Sequence, residues 1–218
     1  MANSLSIKKL ILVPAVITLA VTLLRLTGEL LHWSPRFFNP EAGGGGALIG
    51  IAWLVPVFGF YFGWVLAADG HGPASALKAI GYPLLGFAVP LVAGFGAIKL
   101  AGLAPQGLGL FAVLVVASLV GAFIAFLGWS ALARTLLAYG LAARIPVILV
   151  MLFAILGDWG THYDVAGPGT PPMTPIVKWL MIGVTPQLSA WMWFTIAVGA
   201  FFGGIAGAIK GRGAGRVA

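Results

Sequence analysis

Apolar residues run in long stretches along this chain, and polar residues collect in the intervals between them. The stretches predict helices over Leu10–Leu31, Ala47–Ala68, Ala79–Gly102, Leu108–Leu132, Leu141–Gly157 and Gln187–Ile209. A bilayer core of about 30 Å takes roughly 20 helical residues to cross. The fifth stretch is short for this unless it takes in the turn before Pro146. The segment Pro175–Val184 is too short to cross alone and reads as a half-inserted or interfacial helix, kinked into the last span at Pro186.

Composition sharpens the pattern into a class. Hydrophobic residues make up 61% of the 218 and charged residues 8%, against roughly 25% charged in soluble domains. So few charges cannot cover a water-facing surface, so lipid takes most of the outside. The expected fold is all-α, a polytopic transmembrane bundle of six spans in a single domain over residues 1–218. The absence of cysteine excludes disulfides and thiolate chemistry.

The net charge of +7 does not point to nucleic acid. Its cations stand singly at the ends of apolar runs or in the tail. Lys8, Lys9, Lys78, Arg134, Arg144, Lys210, Arg212 and Arg216 fall on one side of the alternating spans. Arg36, Glu41, Lys99, Asp158, Asp164 and Lys178 fall on the other. The positive-inside rule makes the first side cytoplasmic and places both termini there, as in a bacterial inner membrane. Trp33, Trp159, Trp179, Trp191 and Trp193 lie near the predicted outer boundary, and Trp64 and Trp129 near the inner one, as an aromatic belt. The Lys8–Lys9 start resembles a secretion signal. The apolar run that follows is longer than the ~7–15 residues of such a signal, which favours an uncleaved first span.

The two longest loops fall on the outer side. His32–Gly46 ends in four consecutive glycines, and Asp158–Thr174 is broken by Gly167, Pro168, Gly169, Pro171 and Pro172. Both are expected to lie over the mouth of the bundle. The tetrapeptide Gly-Ala-Ile-Lys occurs at Gly96–Lys99 and again at Gly207–Lys210. Inverted three-span halves would place such a match, but in a chain rich in these residues it is a weak signal.

Candidate chemistry is sparse. Gly199, Gly203, Gly207 and Gly211 are spaced by four and share one helix face. Small residues there let another helix approach closely, within the bundle or in a homo-oligomer or partner subunit. Gly59 and Gly63, and Ala117, Gly121 and Ala125, form shorter versions. Arg25 and Glu29 stand four apart near the outer end of the first span, placed to pair, with Arg25 close enough to the boundary to snorkel. Asp158, His162 and Asp164 cluster in the second outer loop, with His32 on the same side. As a helix, that loop would put Asp158 and His162 on one face. These six residues are the expected ligand-binding positions. The donor types suit a metal, but the spacing matches no tight metal motif, and the sequence requires no cofactor. Polar loop side chains of this kind more often serve only the loop. His71 reads as part of a tight turn. No P-loop, dinucleotide fingerprint or nucleophile elbow is present.

No carboxylate sits at the midpoint of a span, which counts against an ion-driven pump. The leading functional reading is a small permease or channel-like facilitator. The alternative is a non-catalytic subunit of a larger membrane complex, and a membrane metalloprotein or enzyme using the outer cluster comes third. The implied partners are the lipid bilayer and further membrane subunits.

Overall fold

The computed structural model describes residues 6–105 and 107–214, with side chains through Gly211. Arg216 lies outside these residues, and the Arg212 side chain lies outside the described side chains. Among the described residues the regular secondary structure is all helical: α1 (Ile7–Leu30), α2 (Leu54–Ala68), α3 (Ala76–Lys99), α4 (Leu108–Phe126), α5 (Ser130–Gly157), α6 (Pro175–Lys178), α7 (Thr185–Leu188) and α8 (Ala190–Ala214), with a short 3-10 turn at Ala42–Gly44. A π-helical segment, Trp179–Val184, joins α6 to α7. In hydrocarbon every backbone N–H and C=O needs a partner within the protein, which is why apolar stretches of this length become helices.

Five helical stretches are long and apolar enough to cross a membrane: α1, α3, α4, α5 and the continuous stretch Pro175–Gly211. The apolar helix α2 has 15 residues, about 22 Å at the α-helical rise, so it is shorter than a typical bilayer core. The segment Pro175–Val184 is not separate from the last span. It continues through α7 into α8, with a distortion at Ser189 (φ −110°, ψ −82°).

The boundary between the fourth and fifth spans also moves. Helix α4 stops at Phe126 and α5 begins at Ser130, so Leu132 belongs to α5. The turn falls at Gly128, where a Cβ would sit 2.8 Å from the backbone oxygen of Lys78. Only glycine permits that approach, and the apolar residues on both sides hide the turn from hydropathy.

Helix α8 is the central post and packs against α2, α3, α4 and α5, while α1 packs on α5. The most apolar 18-residue window of the Pro175–Gly211 stretch is 56% buried, against 22% for that of α1. Gly59 and Gly63 of α2 meet the backbone of Gly199 and Gly203, so these two helices run parallel in near-backbone contact. Gly86 of α3 likewise meets Gly121 and Ala125 of α4. Gly207 faces the Trp129 ring, and Gly211 faces open space.

One proline inside a helix is matched by a donor from a neighbouring helix. Pro90 has no N–H, so the Gly86 carbonyl four residues earlier lacks its helical partner. The Trp193 indole donates to that oxygen at 2.8 Å. Trp129 donates to His71 O, and Trp179 to Ile148 O, each at 2.9 Å. These three tryptophans therefore tie elements together, and Trp193 does so against Gly86 and Gly121, in the middle of α3 and α4.

Candidate functional site

The end of the bundle that carries the two long loops contains a cavity of about 1220 Å³. Its walls come from Val21 of α1, Phe111 of α4, Val147 and Met151 of α5, and Met181 and Ile182 of the π-helical segment. Residues 42–45 of the first loop and 162–173 of the second also line it. The walls are mostly apolar. The polar groups gather in two places, Arg25 with His162 beside the loops and Arg144 with Gln187 on the helices.

The first group is a compact network. Arg25 Nε donates to Glu29 Oε1 at 2.8 Å, and the same guanidinium donates through Nη2 to the carbonyls of Asn39 (3.2 Å) and Gly44 (3.0 Å). Arg25 therefore turns inward to brace the first loop instead of snorkelling to the lipid headgroups. Gly44 has a left-handed backbone (φ +59°), and a Cβ there would collide with the guanidinium.

Glu29 is 2% exposed and also receives His162 from the second loop. The His162 backbone N–H donates to Oε2 at 2.9 Å, and Nδ1 lies 2.6 Å from Oε1. The carboxylate thus joins α1 to the second loop, and Arg25 beside it holds the first. Burial pushes the His162 imidazole below its ordinary pKa. The hydrogen bond to Glu29 pulls the other way, and Arg25 repels the imidazolium. In its neutral form the ring donates to Glu29 from Nδ1, which leaves Nε2 as an acceptor. Tyr163 next to it is buried and donates to Thr22 O at 3.2 Å, and burial raises its phenol pKa.

The structure brings Arg25, Glu29 and His162 together and separates them from the other three expected residues. Asp158 is exposed in a left-handed conformation (φ +48°) and ends α5, so it shares no helical face with His162. His32, also exposed and left-handed (φ +52°), lies just beyond α1. Asp164 is buried in its own turn, where it accepts from Gly160 N (3.0 Å), Thr161 N (2.7 Å) and Thr161 Oγ1 (2.7 Å). It shapes the loop that presents His162. Among the described residues no three His, Asp or Glu side chains come together as a metal site.

The second polar group was not visible in the sequence. Arg144 is not a boundary cation. It is 3% exposed and sits in the middle of α5. At about 1.5 Å per residue it lies roughly 20 Å from the Gly157 end of that helix. Nη1 donates to Gln187 Oε1 at 3.4 Å and Nη2 to Thr195 Oγ1 at 3.2 Å. The guanidinium carbon stands 5.1 Å from the centre of the Trp191 ring, and Nε has no hydrogen-bond partner. The sequence concealed this because Arg144 stands three residues after Leu141, the predicted start of the fifth stretch, and so reads as a boundary cation, whereas α5 begins at Ser130. The helix runs through Pro146.

In comparisons with known proteins, no family model, no curated protein and no solved structure matches this chain.

Proposed function

We propose that this chain is a six-span membrane protein that takes up a solute at its loop end and passes it along the bundle as a permease or channel-like facilitator. The observation that carries the reading is the cavity of about 1220 Å³, with apolar walls and a few converging polar groups. Binding sites for small molecules share that character at ~300–1,000 Å³. Arg25 and His162 line it beside the loops, and buried Glu29 holds both in place. Asp164 supports them by holding the turn that carries His162.

The broken last stretch supplies a movable wall. Met181, Ile182, Pro186 and Gln187 all line the cavity and lie on the π-helical segment and α7. Single-turn π segments recur at functional sites. The reading of a docking subunit draws less support, since Gly199, Gly203 and Gly207 already face partners within the chain. The test is reconstitution of purified protein into liposomes with a panel of amphiphilic and small polar solutes. Facilitated, saturable flux of one class supports the proposal. Liposomes no leakier than empty ones to the whole panel, with the protein recovered only in fixed ratio with other membrane subunits, would overturn it.

A further inference from the structure

The chain has five acidic residues, Glu29, Glu41, Asp69, Asp158 and Asp164, and all are described. Glu29 is taken by Arg25 and His162, and Asp69 faces His71. Asp164 is held by its own turn, and Glu41 and Asp158 are exposed. Among the described residues, Arg144 forms no ion pair.

A guanidinium in the middle of an apolar bundle is costly unless it is neutralised, and such residues mark ligand pathways. The partners within the chain are poor substitutes. Two neutral acceptors at 3.4 and 3.2 Å are longer than the ~2.7–2.9 Å of charge-assisted bonds. Arginine carries five N–H donors. The cation also lines the cavity, where Val147 and Met151 follow it along α5 and Trp191 covers one face.

Resting on the cavity reading above, we propose that Arg144, flanked by Gln187 and Thr195, binds the carboxylate or phosphate of a ligand whose apolar body fills the cavity. Arg25 is not the anion receptor, because Glu29 already neutralises it. The planar fork of Arg144 suits an oxyanion with two oxygens in one plane. The apolar walls then select for a hydrocarbon body, so the ligand class is an anionic amphiphile. Trp191 holds the guanidinium plane in place by stacking.

The test uses the full chain in a neutral detergent, with dodecanoate, dodecyl phosphate, dodecanol and inorganic phosphate as separate probes, read by calorimetry. The two anionic amphiphiles are expected to bind at least about tenfold more tightly than dodecanol, as one charge-assisted contact implies. Arg144→Gln should erase that difference, by weakening the anionic amphiphiles far more than dodecanol. Arg144→Lys should retain part of it. Inorganic phosphate binding as tightly as dodecyl phosphate, and lost in Arg144→Gln, would keep the anion site and assign it to a free solute. Equal binding of dodecanoate and dodecanol, unaltered in Arg144→Gln, would overturn the anion site while leaving the cavity intact. Failure of every probe, charged and neutral, would overturn both readings. Thermal shift of the wild-type protein needs no variant. The anionic amphiphiles should raise the melting temperature more than dodecanol at equal concentration, and equal shifts would overturn the proposal where the variants do not fold.

Discussion

The indole Nε1 of Trp193 donates a 2.8 Å hydrogen bond to the carbonyl of Gly86, the oxygen that Pro90 leaves without its helical partner. One helix thereby completes the backbone bonding of another. The same ring stacks on Phe87, with centroids 5.2 Å apart. A proline that would weaken an isolated α3 becomes a point of attachment between α3 and α8.

Trp193→Phe keeps most of the ring but removes the donor. It is expected to lower stability by about 1 kcal/mol, measured by SDS-induced unfolding from mixed micelles. Pro90→Ala restores an N–H for Gly86, so in that background Trp193→Phe should cost much less. Equal costs in both backgrounds would show that the indole does not serve the orphaned carbonyl.

Gly63 leaves no room for a methyl group, because a Cβ there would overlap the backbone of Gly203. Gly63→Ala should therefore push α2 from α8 and cost about 1–3 kcal/mol. Gly211, with nothing within 4 Å of its would-be Cβ, is the control. Gly211→Ala should be neutral or slightly stabilising, since alanine favours the helix. The two unfolding midpoints compare directly, and matching midpoints would contradict the close crossing of α2 and α8.

His162 should make stability fall on acidification. Its folded-state pKa lies below the ordinary value, chiefly through burial. The unfolded chain, with an imidazole near 6.5, then binds more protons in the window just below that value. Stability is full above about pH 6.5 and declines as the pH drops toward the depressed folded value. The groups facing the ring are Glu29, Arg25 and Asp164. His162→Ala should flatten the dependence in this window, and an unchanged slope would exclude the imidazole as its source.

Asp164→Ala should release the turn at Gly160–Asp164. Three hydrogen bonds to that carboxylate are lost, including two from buried Thr161. A cost of about 2 kcal/mol is expected, together with faster proteolysis within residues 158–174. Because the turn presents His162 to Glu29, the variant should also lose the pH dependence described above. Wild-type proteolysis rates would show that the turn holds without the carboxylate.

The apolar stretches, the pairing of Arg25 with Glu29 and the loops at the cavity were legible in the sequence. Each follows from local rules: bilayer-length hydropathy, spacing of four on a helix, and glycine and proline in connections. The turn between α4 and α5 was not legible, because Ala125 to Leu132 contains no charge to mark it. That misplacement hid Arg144. A cation counted as a boundary residue became a buried one once α5 proved to run unbroken through Pro146.

By itself the sequence determined the class of this protein, since no water-facing surface can be built with 8% charged residues. It also determined that helices would form, because backbone groups in lipid must be satisfied within each segment. Only the tertiary structure decided which polar groups meet. Glu29 and His162 are 133 positions apart, and Arg144 and Thr195 are 51 apart. Contacts over such separations depend on which helix faces pack, and packing is set by the glycine crossings and the depth of each helix rather than by local spacing.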